Sequence, residues 1–415
     1  MCGLIIKEGE GMIRSKFMAA FLIFIIGTAA IATPPFALNV SGQPRGVLSN
    51  SQTNRLWTAF ETARFCGEHP VYGEGRGYRL KTRSASVFAR SEWRFPFYPP
   101  ARASGAAMVA GSPPAPVVAI VLDENYGAQN AAVGYAANWF SGASAALLRG
   151  ASANTKAAIR QTLVDWARAE ALKRGIQVSW GNQPVDWQVM TLISSIVTTT
   201  AAMAPEFTPE DRALIGPWLN KLVRKVAASR WSARQDNKAY MTAYITLVWA
   251  FMVSDKKAAQ NAVNVVKLAV HDMRPDGSFP MDSERGGMGV NYSQDSAGYL
   301  IMMAALVRVN TGQDLFAYDA GGRTLHNAVD FAVRAIKDPS ATNRIYAIPC
   351  PNGGDRWGSI TNPSRHFITK AGFLGVYAAL FPQSPHARYI RSRYGDGSSR
   401  TSELFGAPPG LLVRW

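Results

Sequence analysis

The pattern of apolar and polar positions predicts a long run of helices in the middle of the chain. Alanine-rich segments with helical spacing follow one another there, each joined to the next by a short loop that holds Pro, Gly, Asn or Asp. The predicted helices are 128–149, 153–174, 185–204, 208–228, 236–253, 256–273, 293–309, 323–337 and 366–381. The C-terminal tail that follows is expected to be rich in loops.

The helix starts carry two predicted N-caps, Thr208 and Asp236, and Glu210 with Asp211 suits a first turn. Residues 33–115 differ in composition, because they are rich in Pro, Gly, Ser, Arg and aromatic residues. That composition predicts short strands or extended loops.

Helices in sequential antiparallel pairs can form a bundle, a solenoid or an α/α toroid. No repeat of fixed period is visible, which disfavours the solenoid, and polar and aromatic residues cluster at helix entries, where a toroid has its groove. We therefore predict an all-α fold, an incomplete α/α toroid or barrel of antiparallel helix pairs with an irregular N-terminal segment. The predicted domains are a signal peptide (1–32), a loop-rich segment able to form a lid (33–125) and a catalytic domain (126–415).

The charge narrows the range of partners. The formal net charge is +16 although only 17% of the residues are charged, so the imbalance reflects scarce acids. A strongly positive field attracts polyanions, either nucleic acid or an acidic polysaccharide.

The N-terminus separates these two partners. Arg14 and Lys16 precede an apolar run over 18–32 that ends in small residues, which is typical of a secretory signal peptide; an uncleaved membrane anchor is the alternative. An exported chain is expected in the periplasm or secreted, as a monomer without stable membrane association after cleavage. Its expected partner is an acidic polysaccharide and not nucleic acid.

Cysteine and histidine usage gives no sign of a cofactor. Cys66 and Cys350 remain after the leader, either as a disulfide or as two free thiols. The chain has neither a CxxC nor an HExxH motif and only five scattered histidines, so no metal and no cofactor are expected.

The glycine-rich segment 274–292 carries the candidate chemistry. Arg285 and Tyr292 lie seven residues apart in it, and an arginine near a phenol favours the phenolate, a usable base. Such a pair suits removal of a proton next to a carboxylate. Lys238 follows the predicted cap Asp236, where the helix dipole disfavours a cation unless an anion binds there; a solvated surface lysine is the alternative.

The segments 234–240 and 276–292 together resemble the alginate lyase superfamily of α/α-toroid polysaccharide lyases, with polysaccharide lyase families 5 and 38 nearest. Those enzymes have an asparagine–histidine step at a helix start, a DGS-x-P turn, an arginine–glycine and a tyrosine seven residues after the arginine. The resemblance, over roughly residues 125–310, implies that Asn237, Arg285 and Tyr292 are catalytic. Lys238 stands where the family commonly has the histidine, which makes Tyr292 the principal proton-transfer group.

Further residues at two helix entries are predicted to contact substrate. One group matches in position a polar substrate-contacting stretch of the family, and the other residues lie at helix entries. The predicted substrate-binding residues are Trp180, Asn182, Gln183, Trp187 and Tyr240.

The implied reaction is β-elimination on a 4-linked polyuronate. Asn237, Lys238 and Asn182 are the groups expected to neutralise the C6 carboxylate. One tyrosine can take the C5 proton and protonate the leaving O4 when both lie on one ring face, as in β-mannuronate and β-glucuronate. Syn elimination on mannuronan, alginate or glucuronan is therefore expected, and guluronate fits less well.

Two other function classes stay open on the sequence. The first is a glycoside hydrolase on an α/α barrel that uses paired carboxylates, and the second is a non-catalytic periplasmic protein that binds acidic glycans. The hydrolase would draw its carboxylates from Asp186, Asp272, Asp276, Asp282, Glu284 and Asp295. Turn formation around Pro275 and Gly277 is the simpler interpretation of Asp272 and Asp276.

The leader yields the first testable prediction. Cleavage after Ala32 or a few residues later should release a soluble exported protein. N-terminal sequencing of the mature protein measures this, and an intact N-terminus starting at Met12 in a membrane fraction would contradict it.

Overall fold

The structure is a computed structural model of the 415-residue chain. The residues that it describes are 36–61, 79–97, 109–118, 121–122, 128–173, 177–178, 187–229, 235–283, 289–338, 371–395 and 405–412.

Almost all regular structure in these ranges is helical. A short parallel pair joins Val121–Leu122 (β1) to Gln177–Val178 (β2). The helices are α1 Asn50–Glu61, α2 Ala85–Arg90, α3 Ala128–Leu148, α4 Ala153–Arg168, α5 Trp187–Met203, α6 Pro209–Ala227, α7 Asn237–Met252, α8 Lys256–Asp272, α9 Pro280–Ser283, α10 Gly289–Thr311, α11 Leu325–Lys337, α12 Gly372–Leu380, α13 Ala387–Tyr394 and α14 Pro409–Leu412.

Side-chain caps fix the helix starts, and both predicted N-caps are confirmed. The Asp211 backbone N–H donates to the Thr208 hydroxyl at 3.2 Å, while the Asp211 carboxylate accepts from the Thr208 N–H at 3.0 Å, a reciprocal capping box. The Asp236 carboxylate accepts from the backbone N–H of Lys238 and of Ala239, both at 3.1 Å.

Some helices end earlier or begin earlier than the sequence predicts. Helix α4 stops at Arg168, because Glu170 and Leu172 adopt left-handed backbone conformations with φ of 48° and 61°. Helix α10 begins at Gly289, four residues before its predicted start at 293, so Tyr292 lies in a helical first turn.

The helices form a two-layered ring, as predicted. Helices α3, α5, α7, α10 and α12 contact one another in that order, and α14 contacts both α12 and α3. The intervening helices α4, α6, α8 and α11 pack on the outside of this inner ring. This is the α/α-toroid architecture, and it confirms the all-α prediction.

The two layers differ in burial. Every residue of α7 except Lys238 is buried, whereas α11 buries only the stripe that includes Leu325, Ala328 and Phe331. A helix that is apolar all round belongs inside a fold, and an amphipathic one belongs at its surface. The sequence of each helix therefore assigns it to the inner or the outer layer.

Helical structure also occurs where loops or strands were predicted. Helices α1 and α2 lie within 33–115, and α13 and α14 lie in the tail. Ser49 and Gln52 cap α1 reciprocally, at 2.9 Å and 3.3 Å. Helix α2 forms around Phe88, whose ring lies 5.5 Å from that of Trp249 on α7, so tertiary packing outweighs the weak local signal.

One inner helix also has the length and composition of a membrane span. The run Trp187–Glu206, α5 with the short 3-10 turn after it, has a mean hydropathy of 1.2. Within the fold, 89% of the 18-residue apolar stretch in this run is buried, as expected for a core helix.

The turn before α9 gives a prediction about stability. Gly277 has a φ of 88°, and a Cβ there would lie 2.0 Å from the Asn327 carbonyl oxygen on α11. We expect Gly277→Ala to lower the free energy of unfolding by about 2–4 kcal/mol, because the backbone must move as well as adopt a strained φ. Urea unfolding measures the change.

Gly312→Ala is the matched control for the Gly277 variant. Gly312 has a φ of 69° with nothing within 4 Å of an added Cβ, so it carries only the backbone strain, about 1 kcal/mol. An equal loss of unfolding free energy in the two variants would show that the contact of the added Cβ with the Asn327 carbonyl oxygen has no effect.

Candidate active site

Three inner helices leave the protein interior at their N-terminal ends. Helix α5 is buried from Val189 to Met203, but Trp187 is partly exposed. Lys238 is the one residue of α7 that is not buried, and Tyr292 is the one residue of α10 between positions 289 and 307 that is not buried. Because these helices alternate with antiparallel outer helices, their N-termini lie at the same end of the ring. This order predicts that Trp187, Lys238 and Tyr292 lie at one end of the ring, which we call its mouth.

A buried carboxyl group, Asp282 on α9, connects two of these helix starts. Its Oδ1 accepts a hydrogen bond from the Asn237 backbone N–H at 3.1 Å, and its Oδ2 accepts from the Ser296 hydroxyl. Ser296 lies four residues after Tyr292 on α10, hence on the same helix face. Asn237 and Tyr292 are therefore held on either side of Asp282.

The surroundings of Asp282 favour its neutral form. Burial raises the pKa of Asp282 well above its ordinary value, and the nearby Asp236 carboxylate raises this pKa further. The hydrogen bonds from Ser296 and Asn237 act in the opposite direction. The site therefore has a carboxylic acid inside it that resists ionisation.

The Asn237 side chain has an unused donor. The residue is 3% exposed, and its Nδ2 has no hydrogen-bond partner among the described residues. An unpaired buried N–H costs about 1–3 kcal/mol. A ligand oxygen that accepted this N–H would remove the cost, and a carboxylate is the acceptor that best suits the end of a helix.

The mouth is electrostatically suited to an anion. The N-termini of α5, α7 and α10 each carry part of a positive helix dipole, and Lys238 lies in the first turn of α7. The Asp236 carboxylate caps α7 by accepting from two backbone N–H groups. Dipoles and a cation that converge on one opening attract negative charge there.

Other predicted site residues have different positions. Trp180, Asn182, Gln183 and Arg285 lie outside the described residues. Tyr240 is 1% exposed, and its hydroxyl donates to the Gln235 carbonyl oxygen at 2.8 Å. This geometry gives Tyr240 a packing role at the start of α7, and its contact with a ligand stays a prediction.

The sequence did not reveal the polar layer beneath the mouth. Gln235, Asn291 and Gln294 are each 1% exposed and have side-chain atoms without hydrogen-bond partners among the described residues. From the sequence, Asp282 is a candidate only as one of the carboxylates of a hydrolase. Its contacts with Asn237 and Ser296 join parts of the chain 45 and 14 residues away, and no local motif signals such contacts.

A sequence model of the alginate lyase family, described as alginate lyase, matches residues 134–342, half of the chain. The chain belongs to the alginate lyase family. A polysaccharide lyase of Stenotrophomonas maltophilia (strain K279a) is 26% identical over 201 residues, which cover 46% of this chain and 58% of that relative. The match thus spans less than two thirds of the relative's length.

Solved structures with similar folds are also alginate lyases. A variant of alginate lyase A1-III complexed with a tetrasaccharide superposes with a TM-score of 0.56 at 17% identity, covering 83% of this chain and 98% of that one. The crystal structure of alginate lyase A1-III from Sphingomonas species A1 gives a TM-score of 0.55 at 17% identity, with 83% and 99% coverage. At this identity the likeness establishes the toroid fold.

Asp282 gives a prediction about pH dependence. A carboxyl whose pKa is higher in the folded than in the unfolded chain binds more protons when folded. It therefore stabilises the fold at low pH, and this contribution is lost as pH rises from about 3.9, the unfolded pKa, through the folded pKa. Asparagine does not titrate, so Asp282→Asn should lack this pH-dependent loss. The free energy of unfolding of the variant, compared with that of wild type, should therefore increase as pH rises from 4 to 8. Urea unfolding across this range measures it.

Two further variants complete this test. Asp165→Asn removes one negative charge from the exposed surface of α4 and controls for net charge. Asp282→Ala leaves the Asn237 N–H and the Ser296 hydroxyl without their acceptor and should cost about 1–3 kcal/mol or more. A constant difference between wild type and Asp282→Asn at every pH would show that Asp282 is ionised alike in both states.

Proposed function

We propose that the protein is a polysaccharide lyase that cleaves a 4-linked polyuronate, mannuronan (alginate) or glucuronan, by syn β-elimination. The observation that carries the proposal is that Lys238 and Tyr292 are the partly exposed residues at the starts of the buried helices α7 and α10, which Asp282 joins. Membership of the alginate lyase family supports it, as does the tetrasaccharide in the related A1-III structure.

The first chemical requirement is neutralisation of the C6 carboxylate, so that negative charge can develop on it when the C5 proton leaves. The unpaired Asn237 Nδ2 and the Lys238 ammonium are the proposed donors. Preorganised donors of this kind stabilise the developing charge without reorganising during the reaction. Asp282 is a positioning residue in this scheme, because it holds the Asn237 backbone through a hydrogen bond.

The second requirement is proton transfer. Tyr292 takes the C5 proton and returns a proton to the leaving O4, both on the same face of the sugar ring. The sequence assigns Arg285 to lowering the pKa of this phenol and orienting it. A lysine at position 238 is a poor base near neutral pH, so the tyrosine carries both transfers.

The alternative functions are less well supported. A hydrolase needs two carboxyl groups that flank the scissile bond, but Asp282 is 2% exposed and is bound to a backbone N–H. Asp276 accepts from the Ser278 N–H and hydroxyl at 3.0 Å and 2.7 Å, as a turn residue does. A glycan-binding protein without activity would use the cation of Lys238 but would need no proton-transfer group at Tyr292.

The proposed setting is outside the cytoplasm. The predicted signal peptide and the net charge of +16 suit a monomer that meets an acidic polysaccharide in the periplasm or after secretion. Appearance of the conjugated alkene, followed by ultraviolet absorbance on mannuronan, guluronan, glucuronan and hyaluronan, measures both activity and preference.

Tyr292→Phe tests the mechanism. The change keeps the ring but removes the proton, and we expect kcat to fall by at least about 10²–10⁴-fold with little change in binding. Tyr135→Phe is the matched control, because it removes an exposed hydroxyl that donates to the Ser112 carbonyl oxygen at 2.7 Å. Near-normal elimination by a folded Tyr292→Phe protein would show that the site is wrongly assigned.

Lys238 provides a second arm of the same experiment. Lys238→Ala removes the cation at the mouth and should slow turnover, since one donor to the carboxylate is lost. Lys238→His, the residue common in the family, should retain more activity than Lys238→Ala. Equal activity in wild type and Lys238→Ala would remove the lysine from the scheme and leave the role of Tyr292 standing.

A further inference from the structure

The structure contains a cleft beside helix α1. It is bounded by the N-terminal segment with the start of α1, the C-terminal end of α8 and the loop before α11, and it encloses about 850 Å³. Ligand sites have volumes of this order. Its described lining shares no residue with the candidate active site. Its lining includes Asn50, Asn54, Trp57, His271, Asp319 and Arg323.

Arg323 is held in a fixed orientation in this cleft. Its Nε donates to the Ala320 carbonyl oxygen at 2.9 Å, and its guanidinium carbon lies 5.1 Å from the centre of the Trp57 ring. Trp57 is itself fixed, because its indole N–H donates to the Asp272 carbonyl oxygen at 3.1 Å. No carboxylate of the described residues forms an ion pair with Arg323, so its terminal N–H groups can bind a ligand.

The cation is partly desolvated. Burial lowers the pKa of Arg323, and the charges of Asp272 and Asp319 offset this only in part. Taking a cation out of water without a paired anion costs free energy. An anion bound against the guanidinium would offset that cost, and a carboxylate can accept two N–H groups of an arginine at once.

The rest of the lining suits a hydroxylated molecule. Asn50 and Asn54 are exposed on the first turns of α1, where their amides can both donate and accept. The N-terminus of α1 adds part of a positive dipole. His271 Nε2 and the Tyr318 hydroxyl are hydrogen bonded at 2.8 Å, which fixes the opposite wall.

We propose that this cleft is a second saccharide-binding site, which takes an acidic sugar chain and pairs a uronate carboxylate with Arg323. The choice of a uronate rests on the proposed function, since the polymer that enters the mouth would supply it. Asn50 and Asn54 bind sugar hydroxyls. The cleft increases the local concentration of a long substrate without taking part in the elimination.

Binding stoichiometry tests the proposal. Full-length mature protein carrying Tyr292→Phe, which prevents turnover, is titrated with a mannuronate tetrasaccharide in a calorimeter. Two sites are expected. Adding Arg323→Gln should abolish one of them or weaken it at least about tenfold, the loss of one charged hydrogen-bonded contact. Only one site in the Tyr292→Phe protein, or two sites of unchanged affinity after the addition of Arg323→Gln, would overturn the proposal.

Arg90→Gln is the matched control. Arg90 is exposed on α2, and its Nε also donates to a backbone carbonyl, that of Ser86 at 3.1 Å. The two arginine variants therefore lose the same charge and the same type of hydrogen bond. Arg90→Gln should retain both sites, and equal weakening in both variants would attribute the effect to net charge and overturn the cleft.

Asn54→Asp keeps the proposal falsifiable if Arg323→Gln fails to fold. An acidic residue near a helix N-terminus is tolerated well, but it places a negative charge in the cleft. It should weaken the acidic tetrasaccharide at the second site by about tenfold and leave neutral cellotetraose unaffected. Equal effects on the two sugars, or none on either, would overturn recognition of a carboxylate.

The outcome is independent of catalysis. If no polyuronate is cleaved, the proposed function fails, and the same titration with wild-type protein still decides whether an acidic saccharide binds beside Arg323. If cleavage occurs but only one site is found, the cleft proposal fails and the proposed function stands.

Discussion

The nearly complete burial of the inner helices α5, α7 and α10 is the constraint on which the rest of the structure depends. A helix that packs on every side can expose a functional side chain only at an end, because any polar group along its length would need a buried partner. Lys238 and Tyr292 obey this rule, since each is the one partly exposed residue of a first helical turn in an otherwise buried stretch. The mouth of the ring is therefore the place where an inner ring of apolar helices can carry chemistry.

Asp282 supplies a buried hydrogen-bond acceptor beneath the mouth. The Asn237 N–H at the start of α7 has to be satisfied, and the Asp282 carboxyl does this while also binding Ser296 on α10. Burial raises the pKa of Asp282, which favours its neutral form and so opposes a negative charge close to the place where a polyanion would bind. The low dielectric of the interior, which raises the pKa of Asp282, would also strengthen the electrostatic attraction of Lys238 and the helix dipoles for a substrate carboxylate.

The sequence predicts the helices better than it predicts the site. Caps such as Thr208 and Asp236 are local, so the starts of α6 and α7 agree with prediction to one residue. The sequence does not predict helix α2, because α2 packs on distant parts of the chain, with Phe88 against Trp249 of α7 and with further contacts to α6. The spacing from Asn237 to Tyr292 placed two groups at one mouth, but the link through Asp282 and the pairing of Arg323 with Trp57 are tertiary. No periodicity or motif encodes contacts of that kind.

The lysine at position 238 alters which residues are expected to neutralise the carboxylate and which to transfer protons, compared with what the family resemblance implies. A histidine there could neutralise a carboxylate or move a proton, depending on its protonation state. A lysine stays charged near neutral pH, so it is suited only to neutralisation. In the proposed mechanism, proton transfer then falls to a group on one face of the sugar, which would restrict the reaction to substrates whose C5 proton and C4 oxygen share that face. A single substitution at a helix N-terminus would in this way set stereochemical preference as well as charge, beside a buried asparagine whose Nδ2 has no hydrogen-bond partner in the described part of the chain.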